Sequence, residues 1–222
     1  MSSDVMDAKT SENDVKTDLC LYHAPRTRSV RIRWLLEEMG LPYRLETVQF
    51  ATRPAGDEAY ARINPQRKVP ALQDGDTIVC ESVAIMEYLL GKYGPSPLAV
   101  TPDEADYGRY LQWLHFGEAG MMMPVSLLLG HTALLPEDQR DPKMAAWSKV
   151  ETDKLLKVLG EHAIGDREFI AANRFTAADI SVVYMCYLLR MIRQFNDAPD
   201  NLKDYFKRMT SRESWGEAAA TE

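Results

Sequence analysis

The sequence predicts a small α/β domain followed by a larger all-α domain. Three observations carry this. Strand-like and helix-like segments follow one another as β-α-β, then a short α, then β-β-α, between Leu19 and Tyr93. The composition then breaks at Gly94-Pro95-Ser96-Pro97, which reads as a linker from its turn residues. From Asp103 onward every periodic segment has helical spacing.

The elements are justified in order. Leu19–His23 (LCLYH) is a short apolar run that suits a buried strand. Ser29–Met39 places Ile32, Leu35, Leu36 and Met39 on one helical face, and Gly40 and Pro42 follow as a stop signal. Tyr43–Val48 alternates like a half-buried strand, and a short helix is expected around Glu58–Ile63. Asp74-Gly75-Asp76 separates the short runs Ala71–Gln73 and Thr77–Cys80, which is a hairpin signal. Glu81–Tyr93 reads as a helix with Val83, Met86, Leu89 and Leu90 inward. A right-handed βαβ unit feeding a hairpin and a covering helix makes a small sandwich. Beyond the linker, Tyr107, Tyr110, Leu111 and Leu114 form one stripe, and Trp147–Val150 and Leu155–Leu159 belong to another helix. Ile180–Ile192 is apolar nearly all round, as the central helix of a bundle should be. Thr176 and Asp179 form a Thr-x-x-Asp capping box ahead of it. Leu202, Tyr205, Phe206 and Met209 give a last stripe. The expected division is a disordered tail at 1–17, an α/β domain at 18–94, a linker at 95–104 and an all-α domain at 105–222.

The chain has 222 residues, 45% of them apolar, enough for a sizeable core. A net charge of -7 argues against general binding to nucleic acid or anionic membranes. The first 18 residues lack the apolar region of a secretory signal. Ile180–Ile192 is shorter than the roughly 20 residues a membrane span needs. Cys20, Cys80 and Cys186 are widely spaced and odd in number, so they make no disulfide framework or CxxC site. A reducing, cytoplasmic location is expected. No two of the four histidines have ligand spacing, so no metal is expected.

Three segments can carry chemistry. A Val69-Pro70 step entering a strand is unusual, because proline removes a ladder donor. A cis bond there would turn the Val69 main-chain groups toward an extended ligand; an ordinary trans turn is the alternative. Glu81-Ser82 sits at a helix N-terminus, where free N–H groups favour a carboxylate, although capping alone also explains both residues. The β1–α1 junction, Tyr22-His23-Ala24-Pro25-Arg26-Thr27-Arg28-Ser29, offers hydroxyls beside cations. Thr27, Ser29 or Tyr22 there can donate to a thiolate; helix capping is the alternative for the first two. His23 lies beside this junction and could tune it, or could be a strand-edge residue.

Taken together these segments resemble the glutathione transferase family. The matching pieces are LYHAPRTRSVRIRWLLEEMGLPY, NPQRKVPAL and ESVAIMEYL, with YLQWLHFGEAGMMMP and FTAADISVVYM in the all-α part. The resemblance spans about residues 19–215. It implies a thioredoxin-like N-terminal domain that binds glutathione and an all-α domain that supplies a pocket for a small hydrophobic electrophile. On the family pattern Val69, before a cis-Pro70, pairs with the cysteinyl unit. Glu81 and Ser82 hold the γ-glutamyl head, and Lys68 neutralises the glycyl carboxylate. Counting back from Arg31, the serine or cysteine of such members falls on Thr27. Counting back from Trp34, the tyrosine of tyrosine-type members falls on Tyr22. Bacterial and fungal relatives also place serines in the segment that holds Ser29, so the three hydroxyls remain open.

The resemblance implies that the pocket lining comes from Tyr107–Met123, with Tyr107, His115 and Met122 as candidates. Thioethers suit a tolerant apolar pocket, although three consecutive methionines cannot all face it. Residues 23–31 hold no cysteine, which favours thiolate addition or substitution over disulfide exchange. The family also implies a homodimer. The expected function is conjugation, or glutathione-dependent ether cleavage or dehalogenation. A non-catalytic binding protein and a glutathione-dependent isomerase are the alternatives.

Overall fold

A computed structural model describes residues 18–49 and 58–220. The expected tail at 1–17 lies outside these residues. Four strands, β1 (Leu19–His23), β2 (Arg44–Thr47), β3 (Ala71–Asp74) and β4 (Thr77–Cys80), form one sheet in the order β2-β1-β3-β4. β1 runs parallel to β2 and antiparallel to β3, and β3 runs antiparallel to β4. The β1-to-β2 connection is made by α1 (Ser29–Met39), which ends at Gly40 in the left-handed region (φ 62°) with its N–H on the Glu37 carbonyl. Glycine alone meets this backbone without a Cβ penalty. Gly75, at φ 57°, turns the β3–β4 hairpin.

Period-2 alternation along β1 sorts its side chains between two layers. Leu19 and Leu21 join the main core with Trp34, Leu35 and Leu36 of α1 and with Ile85, Met86 and Leu89 of α3 (Ser82–Lys92). The opposite face carries Tyr22, whose ring lies 5.5 Å from Tyr60 of the short helix α2 (Glu58–Ala61). Tyr60, Val69 and Ala71 form a smaller second cluster there.

The helical part comprises α4 (Tyr107–His115), α5 (Met122–Leu129), α6 (Pro142–Val158), α7 (Ala177–Met191), α8 (Asp200–Met209) and α9 (Glu213–Ala219). Helix α7 is central, with nearly every side chain buried. Asp179 is fully buried at its start; its carboxylate accepts from Thr176 N–H at 2.8 Å, Ile170 N–H at 3.0 Å and the Tyr205 hydroxyl at 2.7 Å. The capping box thus also ties α7 to α8. Helix α9 returns to α1, where Trp215 meets Trp34 edge-on at 4.8 Å. Arg212 and Ser214 both bind Glu38 of α1.

Two features differ from the sequence expectation. Helices α4, α5 and α6 each continue into a π-helical turn, at Phe116–Gly120, Gly130–Leu134 and Leu159–Ile164. Gly117, in the first of these, packs directly on α7: a Cβ there would lie 2.4 Å from Ser181 Oγ. The second difference is Gly94–Pro95, which is cis, as Val69–Pro70 is.

Candidate functional site

A cavity of about 660 Å³ opens between the sheet domain and the helices. Its first wall is polar and comes from the β1–α1 junction and the segment before β3: Arg26, Thr27, Arg28, Lys68 and Val69. Its second wall is largely apolar and comes from α5, α7 and their flanking turns, including Met122, Leu129, Leu134, Tyr184, Leu188 and Met191.

The approach to β3 is held from below. Tyr60 and Asn64 donate to the Lys68 carbonyl at 2.7 and 2.6 Å, and Arg67 N–H donates to the Asn64 carbonyl at 2.8 Å. Val69 follows on the cavity side of the cis bond to Pro70. These contacts explain locally why Asn64-Pro65-Gln66-Arg67 precedes the strand: Asn64 closes its own turn by accepting from Gln66 N–H at 3.0 Å.

The three hydroxyls at the first junction sit in different surroundings. Thr27 lines the cavity. Its Oγ1 donates to the Ala24 carbonyl at 2.7 Å and lies 2.7 Å from Ser29 Oγ. Ser29 is fully buried and lies behind Thr27, with Oγ 2.8 Å from His23 Nδ1. The Tyr22 hydroxyl points along the sheet and donates to Gln73 at 3.1 Å. It is on the α2 face of β1 and does not line the cavity.

The N-terminus of α3 is supported from the helical part. Glu81 takes an unusual backbone conformation (φ 71°, ψ 120°) and makes no side-chain cap, so it does not close off the first-turn amides itself. Ser82 is buried, and its Oγ accepts from Arg31 Nη1 at 3.1 Å. Arg31 is fully buried in α1. It donates to the Gly117 carbonyl at 2.9 Å, the Ser181 carbonyl at 3.2 Å and the Glu118 carboxylate, and it lies 4.6 Å from the Tyr184 ring centre. Arg28, at the cavity rim, donates to the other Glu118 oxygen at 2.5 Å. Burial alone would raise the Glu118 carboxyl; Arg31 and Arg28 outweigh it and hold it below its ordinary value. One carboxylate from a π-helical turn therefore joins α1, the cavity rim and the start of α3.

The three residues expected to line the co-substrate pocket fall in different places. Met122 lines the cavity, but Tyr107 and His115 do not. His115 faces out and pairs with Glu87 of α3 at 3.2 Å. Helix α4 turns Tyr110, Trp113 and Leu114 into the core, and the apolar wall falls to α5 and α7. Sequence reasoning also missed Arg31 and Glu118. The i, i+3 spacing puts Arg28, the N-cap of α1, and Arg31, in its first turn, on one side of the helix start, but nothing nearby in the sequence names their partner. Among the described residues no group of His, Cys, Asp and Glu is arranged to hold a metal. No helix among them is long and apolar enough to cross a membrane.

Two family models match the chain: the glutathione S-transferase N-terminal domain over residues 17–91 and the C-terminal domain over residues 119–213. The chain belongs to the glutathione S-transferase family. Glutathione S-transferase 3 of Schizosaccharomyces pombe is 26% identical over 204 residues, covering 87% of this chain and 84% of that one. Glutathione S-transferase theta-1 of Bos taurus is 32% identical over 152 residues, covering 64% of this chain and 61% of its own length. Among solved structures, a glutathione transferase family member from Pseudomonas fluorescens with two glutathione bound matches with a TM-score of 0.81 and 25% identity. It covers 90% of this chain and 92% of its own. A Phanerochaete chrysosporium transferase with oxidised glutathione shares the fold at a TM-score of 0.79 and 23% identity, over 92% of this chain and 95% of its own. The glutathione S-transferase architecture is thus present from β1 through α9.

Proposed function

We propose that this glutathione S-transferase binds glutathione along the polar wall of its cavity and directs the thiolate at a small hydrophobic electrophile held by the apolar wall. One observation carries the reading: a single cavity brings Thr27, Lys68 and Val69 opposite Met122, Leu129 and Leu188. The Val69 main chain pairs with the cysteinyl unit as an added strand would. Lys68 meets the glycyl carboxylate. The first turn of α3, after Glu81, receives the γ-glutamyl carboxylate through its amides and positive dipole end, and Glu81 takes the ammonium. Ser82 Oγ, already bonded to Arg31, orients this end from behind.

Thr27 is the hydroxyl that reaches the sulfur, since it alone of the three candidates lines the cavity. A free thiol ionises near pH 8.5, so lowering that value toward neutrality is the main catalytic task. A hydroxyl donating to the thiolate, together with nearby Arg26 and Arg28, favours the charged form. The apolar wall then orients an electrophile for attack, and no second protein nucleophile is needed. The chain acts as a homodimer in a reducing cytoplasm.

The test is direct. Reduced glutathione is bound to the protein and the thiolate absorbance is titrated. The parent should show a thiol pKa well below that of free glutathione. Thr27→Val should raise it by about 1 to 2 pH units, the loss of one hydrogen bond to a charged group. An unchanged value in Thr27→Val refutes the donor assignment, and failure to bind glutathione refutes the reading as a whole. Sedimentation showing only monomer refutes the dimer.

A further inference from the structure

His23 ends β1 with its side chain turned toward α1, and it is almost completely buried. Among the described residues the Thr27 hydroxyl hydrogen-bonds the Ala24 carbonyl and Ser29, and not this ring. Ser29 stands between them. Its Oγ lies 2.8 Å from His23 Nδ1 and 2.7 Å from Thr27 Oγ1, and it accepts from Ala24 N–H at 3.2 Å. The far ring atom, His23 Nε2, is buried and meets no partner among the described residues.

These contacts favour one arrangement of the protons. Burial, aided by the charge of Arg33, pushes His23 down to about 4, so the ring is neutral at ordinary pH and carries one proton. Placing that proton on Nε2 would bury an N–H without an acceptor, an arrangement rarer than an unpaired acceptor. Placing it on Nδ1 lets the ring donate to Ser29 Oγ. Ser29 then turns its own proton to Thr27 Oγ1 at 2.7 Å, which lies nearer than its other acceptor, the Ala24 carbonyl at 3.2 Å. With Ser29 donating to its oxygen, the Thr27 hydroxyl keeps its own proton turned away from Ser29 and free to donate. Its proton rests on the Ala24 carbonyl at 2.7 Å until a thiolate offers a charged acceptor. Successive donors polarise one another in the same sense.

We propose that His23 is a positioning residue that acts through Ser29 to aim and polarise the Thr27 hydroxyl toward the bound thiolate. No proton leaves the ring and no covalent bond is made or broken in this step. The inference rests on Thr27 as the thiol's donor, and the experiment separates the two claims.

The readout is the thiol pKa of reduced glutathione bound to the full chain, from thiolate absorbance. His23→Leu keeps bulk and removes the donor. It should raise the thiol pKa by about half to one pH unit while leaving glutathione affinity at high pH near that of the parent. His23→Asn places an amide N–H near the position of Nδ1 and should hold the value within about 0.3 units of the parent. In a Thr27→Val background, His23→Leu should add no further shift. Ser29→Ala, which removes one oxygen, should match His23→Leu and carries the test if the leucine variant does not fold. Parent-like values in both His23→Leu and Ser29→Ala, with Thr27→Val still shifted, overturn the relay and leave the donor assignment intact. An asparagine variant that behaves like leucine overturns the assignment of His23 as donor. An unshifted Thr27→Val overturns both claims.

Discussion

Replacing Glu118 by glutamine removes the anion between Arg28 and Arg31 while keeping the side-chain shape. The Arg31 guanidinium is fully buried, whereas the Glu118 side chain keeps 21% of its exposure and that of Arg28 24%. Breaking a buried ion pair by removing one partner costs about 3–5 kcal/mol, because the other charge is left uncompensated. Arg31 retains the Gly117 and Ser181 carbonyls, the Ser82 hydroxyl and the Tyr184 ring, and glutamine still offers one acceptor. The expected loss therefore lies at the low end, about 3 kcal/mol. For a chain of this size about 2–4 °C accompany each kcal/mol, so the melting temperature should fall by about 6–12 °C. The pH dependence has a definite sign. Glu118 has a depressed folded-state pKa against an ordinary value of 4.5. Its contribution is fully present above about pH 4.5 and disappears as pH falls through the depressed value. The gap between parent and Glu118→Gln, followed by calorimetry across pH, should thus close only in acid. The coupling of Glu118 to the more exposed Arg28 should be at most about 1 kcal/mol. A melting temperature within about 1 °C of the parent at pH 7 would refute the reasoning, as would stronger coupling to Arg28 than to Arg31.

Other changes have equally definite outcomes. Gly117→Ala should destabilise the protein by about 1–3 kcal/mol in urea titrations, since the new methyl meets Ser181 Oγ at 2.4 Å and its carbonyl oxygen at 2.7 Å. Asp179→Ala strips acceptors from Thr176, Ile170 and Tyr205 at once and should cost several times a single cap, roughly 3–5 kcal/mol, with no change in the thiol pKa of whatever folded fraction remains. Ser126→Trp, on the exposed rim of the apolar wall, should lower kcat/KM for a bulky aromatic electrophile while leaving the KM for glutathione near that of the parent.

Short-range chemistry was the most legible part of the chain. Gly40 caps α1, Gly75 turns the hairpin, and Thr176 with Asp179 opens α7, each from a local rule that needs no knowledge of the rest of the molecule. The unusual Val69-Pro70 step drew attention to a segment that lies on the cavity. The Ser29–Thr27 ambiguity could not be resolved the same way. Both are hydroxyls at one helix start, and only the path of the backbone from His23 to Ser29 decides which is buried. Arg31 and Glu118 stand 87 positions apart, so no pattern within a window could join them. The resemblance implies a cavity lining from Tyr107–Met123, and within that segment Met122 lines the cavity described above while Tyr107 and His115 do not. Helix α4 instead spends its apolar stripe on the core, and the chain widens before α5 begins.

The widened turn at Phe116–Gly120 has a consequence for how this chain can change length. Against an α-helix, a π-helical turn amounts to one extra residue, and each residue carries about 100° of rotation. Deleting a single position there, such as Ala119, would let α4 continue regularly and would swing everything beyond it by roughly that angle. Met122 would leave the cavity wall in the same step. A substitution at Glu118 can be graded, but a one-residue deletion in the same turn is all or nothing. The helical domain is therefore open to drift in the identity of its cavity-facing side chains and closed, at this turn, to drift in its residue count.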